Sequence, residues 1–232
     1  MLEVIGLKKG VPQGSVLGPV LFNVFINDIF HFVNNCTILN YADDNVISCN
    51  SKTISDLKSN FELNVKNLLN WFTINGMKAN ANKFQLISFG NASRSLSSIN
   101  VDDINLESQP CIKYLGIHID YELSFSNHID FICSKAGKQV NALLRMCNLL
   151  DRDTKFLMYK SFINSSFTYC PVVWSFCNKT DMCKLEKIQR RALRFVSGDF
   201  SICSSDLRNM FHVLPLSSVA IKKIVDAVYK CV

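Results

Sequence analysis

The sequence lacks a long uninterrupted apolar run. Its most apolar stretch, residues 16–33, is interrupted by Asn23, Asn27, Asp28 and His31, whereas a membrane-spanning helix needs about 20 predominantly apolar residues. The N-terminus also lacks the basic segment and apolar block of a secretory signal. We therefore expect no membrane partner and an intracellular location, either nuclear or cytoplasmic.

A zinc-binding spacing is also missing, although the chain contains ten cysteines. No Cys-x2-Cys pair occurs, and no group of Cys and His residues has the spacing of a structural zinc site. Most of the cysteines occupy apolar positions of periodic segments, where Cys behaves as a small hydrophobic residue. We therefore expect reduced, structural thiols and no zinc.

Neither sign of charge dominates the composition. The chain has 25 basic and 19 acidic residues, a net charge of +6, which permits a polyanionic partner without establishing one. With 48% hydrophobic and 19% charged residues, the sequence is typical of a globular protein. Its 232 residues suffice for one large domain or two small ones.

The periodicity of apolar residues changes near Glu122. Helices are expected at about 16–32, 53–73, 126–148, 154–168, 182–197 and 216–230, and strands at 37–40, 45–48, 84–89, near 101 and at 111–120. Strands and helices therefore mix in residues 1–120, whereas residues 121–232 are almost entirely helical. We predict an α+β chain with one domain at 1–120 and a second at 121–232.

Two adjacent aspartates lie between the predicted strands 37–40 and 45–48, in the tetrapeptide Tyr41-Ala42-Asp43-Asp44. Acidic residues disfavour strands, and two like charges at a hairpin tip repel each other unless a cation lies between them. Magnesium commonly binds one or two carboxylates together with substrate phosphates. The pattern therefore predicts a divalent-metal site with Asp43 as first ligand and Asp44 as second. The alternative is a polar turn of common composition.

Four sequence blocks occur in the order and spacing of one enzyme family: Gly10–Pro19, Tyr41–Asp44, Asn75–Phe89 and Lys113–Ile117. With these blocks the chain resembles the reverse transcriptases of non-LTR retrotransposons, especially the jockey-like kind. The helical region resembles the same family at Tyr169–Trp174 and at Leu185–Arg191. The resemblance therefore covers most of the chain.

The resemblance implies a fold and an activity. The fold would be part of a right-hand polymerase palm, an antiparallel sheet with packed helices, followed by an all-α thumb and C-terminal region. The activity would be RNA-directed DNA polymerisation, which adds deoxynucleotides to a primer 3′-hydroxyl and uses two Mg²⁺ ions in the complete enzyme. The implied partners are an RNA template, a DNA primer and deoxynucleoside triphosphates.

The resemblance also implies roles for individual residues. Asp43 and Asp44 would be catalytic metal ligands, and Lys83 would meet the triphosphate. The nucleotide and template pocket would include Gln13, Gly14 and Tyr41, and the primer grip would consist of Tyr114, Leu115 and Gly116. The alternatives are ordinary structural positions: a helix entry for Gly14, a core tyrosine for Tyr41, a solvated lysine for Lys83, and a strand with a glycine bend at 114–116.

Basic residues recur along the predicted helix 182–197. Lys184, Lys187, Arg191 and Arg194 are spaced as a single stripe, and Arg190 lies beside it. Such a stripe suits a nucleic-acid backbone, which is bound without sequence recognition. The alternative is a solvated face. The helix predicted at 126–148 carries a second set of cations, Lys135, Lys138 and Arg145.

One acidic residue of the family pattern has no counterpart. The polymerase mechanism of the family also needs an aspartate on a strand that precedes the Gly10–Pro19 block. Among the first nine residues only Glu3 is acidic, and it matches nothing in the family pattern; the fingers that grip the triphosphate are not recognisable either. We therefore expect a polymerase fragment with an incomplete site. The alternative is a non-catalytic, nucleic-acid-binding remnant of a mobile element.

Overall fold

The computed structural model describes residues 10–12 and 14–231. They divide into two compact units, one that ends at Gln109 and one that begins at Pro110. The chain is 58% helical and its described sheets are small and antiparallel, which confirms the α+β class. The 111–120 segment belongs to the second unit, and the names palm and thumb for the two regions remain a prediction.

The first unit combines two hairpins with one long helix. Its elements are helix α1 (Gly18–Ile26), a 3-10 helix (Asn27–Phe32), strands β1 (Cys36–Tyr41) and β2 (Asp44–Cys49), helix α2 (Ile54–Ile74), a short 3-10 helix (Ala81–Lys83), helix α3 (Ala92–Ser95), and strands β3 (Ser98–Val101) and β4 (Ile104–Glu107).

The second unit is one hairpin followed by helices. Its elements are strands β5 (Cys111–Tyr114) and β6 (Ile117–Asp120), helix α4 (Ser126–Leu144), a 3-10 helix (Cys147–Leu149), helix α5 (Arg152–Met158), a π-helical segment (Tyr159–Asn164), and helices α6 (Ser165–Thr168), α7 (Pro171–Trp174), α8 (Lys179–Ser197), α9 (Ser204–Phe211) and α10 (Leu216–Cys231). Within the described chain, none of the helices has the length and apolar character that crossing a membrane requires.

Helix α2 organises the core of the first unit. Its start is capped by Thr53, whose hydroxyl accepts a hydrogen bond from the Asp56 amide at 3.2 Å. Near its end Trp71 is buried in a cluster with Ile29 and Ile38, which packs the β1–β2 hairpin against this helix. The indole nitrogen of Trp71 donates to Asp28 at 3.1 Å, so the buried polar atom is satisfied.

The core of the second unit forms mainly between helices. Helices α4 and α8 pack together through buried residues such as Ile132, Val140 and Leu185. Helix α8 begins after Asn178, whose side chain accepts from the Asp181 amide at 2.8 Å, and ends at Gly198 in the left-handed conformation. Helix α8 is thus capped at both ends, and its buried side chains pack against α4.

Two strand predictions are wrong. Residues 84–89 do not form a strand; within this segment Leu86 makes a single bridge to Ser108. Residues 111–120 form a hairpin and not one strand, because the chain reverses at Leu115–Gly116. The alternation of apolar residues changes phase at the turn, from Ile112 and Tyr114 before it to Ile117 and Ile119 after it, so the sequence carries a signal of the reversal.

The expectation of reduced thiols is wrong for one cysteine pair. Cys36 and Cys49 lie opposite each other in the β1–β2 register and form a disulfide, with Cα atoms 4.4 Å apart. The hairpin register brings them together, since directly opposite residues of an antiparallel pair approach this closely. The cysteines whose thiols are free in the described structure are Cys111, Cys133, Cys147, Cys170, Cys177, Cys183 and Cys203.

Candidate metal site and nucleic-acid interface

The two aspartates lie at the turn between β1 and β2. Tyr41 pairs with Asp44, so Ala42 and Asp43 form a two-residue turn. Ala42 has a φ of 53°, a left-handed conformation that costs a non-glycine residue about 1–2 kcal/mol. The turn therefore holds a strained backbone at the position next to the first aspartate, and such strain is concentrated at functional sites in many proteins.

Both aspartate side chains are exposed. Neither carboxylate has a hydrogen-bond or ion-pair partner among the residues that the structure describes. A side-chain hydrogen bond at the turn runs from Asn45 Nδ2 to the backbone carbonyl oxygen of Asp43, at 3.4 Å. Tyr41 is 64% exposed and lies opposite Asp44, on the same face of the hairpin. Tyr41 is therefore not a core tyrosine.

This donor set fits magnesium. Carboxylate oxygens are hard ligands, and Mg²⁺ in phosphate chemistry is typically held by one or two carboxylates while water and substrate phosphates complete its shell. In the described part of the chain, no three or more His, Cys, Asp or Glu side chains lie close enough together to hold a metal ion. Asp43 and Asp44 would therefore hold the metal by themselves among these residues.

The hairpin is anchored on the side away from the exposed aspartates. Ile38 and Ile47 face each other across the two strands and belong to the core cluster of α2. Asn64, buried in α2, accepts from the Asn34 amide at 2.7 Å and donates to the Asn34 carbonyl at 2.9 Å. These contacts fix the backbone just before β1 to α2, so the strands that carry the turn are anchored to the core.

The other predicted pocket residues have different surroundings. Gln13, like Glu3, lies outside the described residues. Gly14 is exposed with a φ of 82°, in the loop that leads to α1. Ser15 Oγ accepts from the Gly18 amide at 3.0 Å and so closes this loop. Lys83 is exposed at the end of the 3-10 helix Ala81–Lys83.

The predicted primer grip is the turn of the β5–β6 hairpin. Tyr114 pairs with Ile117, and the two residues between them have positive φ values, 45° at Leu115 and 83° at Gly116. This backbone is typical of a tight hairpin turn, in which the second position is favourable for glycine. The Tyr169 hydroxyl donates to the Leu115 carbonyl. Sequence reasoning gave Tyr169 no role, because the two residues are 54 positions apart.

The β5–β6 hairpin rests on the first turns of α4. The His118 amide donates to Nδ1 of the buried His128 at 3.4 Å, and the His118 ring lies 4.9 Å from that of Phe131. Burial, and then the neighbouring His118, lower the pKa of His128 below its usual value. His128 is therefore a neutral packing residue at physiological pH.

Three members of the predicted basic stripe on α8 are engaged within the protein. Lys184 forms ion pairs with Asp130 at 2.7 Å and with Asp181 at 2.8 Å, and hydrogen bonds to these two carboxylates raise its pKa. Arg191 donates to Asn141 at 2.6 Å, and Arg194 to the Ile202 carbonyl at 3.0 Å. The ion pairs neutralise the charge of Lys184, whereas Arg191 and Arg194 keep their charge and have some of their donors occupied.

The partner of Lys184 is a buried carboxylate. Burial raises the pKa of Asp181, but hydrogen bonds from Lys184, Ser126 and Asn178 outweigh it and leave the pKa below its usual value. Ser126 lies in α4 and donates at 2.7 Å. Asp181 therefore joins the starts of α4 and α8. The positive charge of Lys184 stabilises this buried carboxylate and so has a structural role.

Among the basic residues predicted to contact nucleic acid, those without an internal partner lie on α8 and on or directly after α4. Lys135 and Lys138 are exposed on α4, Arg145 is exposed directly after its last residue, and Lys187 and Arg190 are exposed on α8. None of the five has a hydrogen bond or ion pair within the described residues. The three on or directly after α4 recur three and seven residues apart and so lie on one side of the helix.

Residues 3–119 match the reverse transcriptase (RNA-dependent DNA polymerase) family. This chain belongs to the reverse transcriptase family. The matched segment contains the Asp43–Asp44 turn and the Leu115–Gly116 turn, whereas the basic residues of the candidate nucleic-acid interface lie outside it.

Curated relatives are reverse transcriptases of mobile elements. The chain is 30% identical over 202 residues to the RNA-directed DNA polymerase from mobile element jockey of Drosophila melanogaster, which covers 83% of this chain and 22% of the relative. It is 23% identical over 196 residues to the probable RNA-directed DNA polymerase from transposon X-element of the same species, with 82% and 22% covered.

A third relative belongs to another element type. The Pol polyprotein from the type-1 retrotransposable element R1 2 of Nasonia vitripennis is 23% identical over 177 residues, which are 71% of this chain and 43% of the relative. The chain thus spans about a fifth of the length of the jockey polymerase, and the resemblance to jockey-like non-LTR reverse transcriptases is confirmed. No solved structure matches the chain significantly.

Proposed function

We propose that this chain is a segment of a retrotransposon RNA-directed DNA polymerase that carries two carboxylates of the catalytic metal site and a surface for the primer–template. The observation that carries the proposal is the pair of exposed, unpartnered carboxylates at the β1–β2 turn, inside the segment that matches the family. Asp102 and Asp103, at the turn of the β3–β4 hairpin, also lie in this segment, but there the Asp102 carboxylate forms an ion pair with Lys66 at 2.8 Å.

In this proposal Asp43 and Asp44 hold Mg²⁺, and the complete site contains two such ions. The metal supplies charge stabilisation for the attacking primer oxygen and the leaving pyrophosphate. Asp43 and Asp44 would position the metal ion at the tip of an anchored hairpin. Lys83 approaches the triphosphate, while Gln13, Gly14 and Tyr41 border the nucleotide. We expect a further carboxylate from polymerase sequence outside the described residues to complete the site.

A second element of the proposal is the nucleic-acid surface of the second unit. Lys135, Lys138 and Arg145, on or directly after α4, with Lys187 and Arg190 on α8, contact the phosphate backbone of an RNA–DNA primer–template. Their free, exposed charges support this assignment, because backbone binding depends on cations that release counterions from the nucleic acid. Lys184, Arg191 and Arg194 contribute less, because their donors are engaged within the protein.

Primer extension tests the catalytic part. The chain is joined to the polymerase sequence that precedes the matched segment in a jockey relative, and DNA synthesis on an RNA template is measured with Mg²⁺. We expect Asp43→Asn to reduce extension by at least about a thousandfold, since removal of a charge-stabilising group in an active site costs several kcal/mol. The matched control is Asp103→Asn, an exposed aspartate at the turn of the β3–β4 hairpin, which should extend like the parent. Equal loss in both variants, or in neither, would contradict the proposal.

Salt-dependent binding tests the surface with the 232-residue chain itself. Lys135→Gln combined with Lys138→Gln should weaken primer–template binding and lower the slope of log affinity against log salt by about 1 for each lysine. Lys184→Gln is the comparison, and it should leave the slope nearly unchanged. An unchanged slope in the α4 variant would remove this surface from the proposal. If the joined polypeptide binds the primer–template but does not extend the primer, the result would favour the alternative, a non-catalytic, nucleic-acid-binding remnant of a mobile element.

A further inference from the structure

We propose that Tyr169 is a positioning residue, which holds the Leu115–Gly116 turn in the conformation that supports a primer strand. The inference rests on the proposed function, because that function assigns this turn to the primer. Tyr169 lies in the Tyr169–Trp174 segment, which neither the family match at 3–119 nor the residue roles implied by the resemblance cover.

The turn needs external support because of Leu115. Its φ of 45° lies in the left-handed region, where a branched side chain is rare and strained. Gly116, with a φ of 83°, adopts its conformation without such a cost. The strain of the turn is therefore concentrated at Leu115, and a partner of that residue decides whether the turn keeps its shape.

Tyr169 contacts both residues of the turn. Its hydroxyl donates a hydrogen bond to the Leu115 carbonyl oxygen. Its ring packs against Gly116, where a Cβ atom would lie 3.7 Å from Cε1 of the tyrosine. One side chain thus satisfies the carbonyl of the strained residue and covers the residue beside it.

Tyr169 is itself fixed by the helical core. The residue follows α6, in which Phe167 is fully buried, and precedes α7, in which Trp174 is fully buried. Between them Cys170 takes a left-handed φ of 41° and the buried Pro171 opens α7, so the chain turns sharply at this point. The anchored backbone lets Tyr169 connect the turn to the core.

The outer part of this arrangement is open to solvent. Tyr169 is 48% exposed and Gly116 is exposed, whereas Leu115 is half-buried. A strand that lies along the turn can therefore reach Gly116 beside the half-exposed tyrosine ring. This geometry suits a support for the turn.

The experiment uses the 232-residue chain and the variant Tyr169→Phe, which removes only the hydroxyl. Amide hydrogen exchange of residues 112–118 is measured by mass spectrometry. In parallel, a fluorescent base analogue at the primer 3′ end reports how an RNA–DNA primer–template is held. We expect turn exchange to accelerate by about 5- to 10-fold, as loss of one hydrogen bond predicts, and the primer end to become less ordered. Tyr229→Phe on α10, where the side chain is 83% exposed, is the matched control and should change neither signal.

A second variant separates positioning from general stability. Leu115→Gly removes the strain but keeps the backbone carbonyl that accepts from Tyr169, so Tyr169→Phe should accelerate exchange of the turn less in the Leu115→Gly background than in the parent. A purely structural role of Tyr169 would give the same acceleration in both backgrounds. Unchanged exchange in Tyr169→Phe, or acceleration throughout residues 110–231, would overturn the inference.

The remaining outcome distinguishes this inference from the proposed function. If exchange accelerates only at the turn while the primer signal and the affinity stay at the parental level, the positioning role is supported and the assignment of the turn to the primer is overturned.

Discussion

Two hairpins of the first unit carry adjacent aspartates at their turns and use them differently. In β1–β2 the turn residues are Ala42 and Asp43, and Asp44 begins the return strand. In β3–β4 the turn residues are Asp102 and Asp103, and Ile104 begins the return strand. The acidic pair is therefore shifted by one position between the two turns.

This shift changes what the carboxylates can do. In β3–β4 the left-handed position, with a φ of 49°, belongs to Asp102, a residue type that tolerates this conformation. Its carboxylate forms an ion pair with Lys66 at 2.8 Å. In β1–β2 Ala42 takes the left-handed position, and both carboxylates remain unpartnered within the described residues. The same dipeptide is thus a turn former in one hairpin and a candidate metal site in the other.

The cross-link of β1–β2 gives the largest expected difference between the two hairpins. Replacing both Cys36 and Cys49 by Ser should lower the free energy of unfolding of the first unit by about 3 kcal/mol, the value for a loop of similar length. Hydrogen exchange of β1 and β2 amides under non-reducing conditions measures this loss, and a reductant should bring the parent to the level of the variant. Equal exchange in parent and variant without reductant would show that the disulfide does not constrain the hairpin. Replacing the free, exposed Cys183 and Cys203 by Ser is the control.

Metal affinity should separate the two acidic pairs directly. Asp43→Asn should weaken Mn²⁺ binding by tenfold or more, about 1.4 kcal/mol, because one of two anionic ligands is lost. Asp103→Asn should leave the affinity unchanged. Electron paramagnetic resonance of free Mn²⁺ measures both. Comparable losses in the two variants would mean that the β1–β2 turn has no special affinity.

Glycine substitutions at the two left-handed positions should stabilise the first unit to different extents. Ala42→Gly should stabilise the first unit by about 1 kcal/mol, since it removes the strain of a Cβ atom at a positive φ. Asp102→Gly also relieves a positive φ but loses the contact with Lys66, so its net gain should be smaller. Urea unfolding of the two variants gives the comparison. A destabilising Ala42→Gly would show that the strain at this turn is not relieved by glycine.

The ion pair of β3–β4 should give the smallest effect. The hydrogen bond and charge of Asp102 raise the pKa of Lys66 above its usual value. The stabilisation is therefore fully present below pH 10.5 and is lost as the pH rises through the raised pKa of the folded state. Both groups are exposed, so Lys66→Gln should cause only a slight fall in melting temperature at neutral pH, and 1 M salt should abolish the difference. A large fall in the melting temperature of Lys66→Gln that persists in 1 M salt would show that this ion pair is not a weak surface interaction.

Local patterns predicted the elements that depend on nearby residues. The helix expected at 53–73 is α2, which begins after the Thr53 cap, and the hairpin around Asp43–Asp44 has the expected strands. The segment 84–89 resembled a strand because its apolar residues suit one. It has no partner strand, and a strand is stable only in a sheet.

Site residues were predictable to the extent that their roles depend on sequence motifs. The order of the blocks identified the family, and the matched segment confirms it. The stripe on α8 had the right spacing for a backbone contact, yet three of its cations are used inside the protein. No sequence signal showed that Asp130 and Asn141 would face them from α4.

The sequence by itself determined the family of this protein, the two adjacent aspartates and the main helices. These properties depend on residue identity and on spacings within one element. Only the tertiary structure decided which charges are free. Lys184 is neutralised by Asp130, which is 54 positions away, whereas Lys135 remains exposed. It also decided that Cys36 meets Cys49 and that Tyr169 meets Leu115. Such pairs form because folding brings distant parts of the chain into contact, and no periodicity along the sequence encodes them.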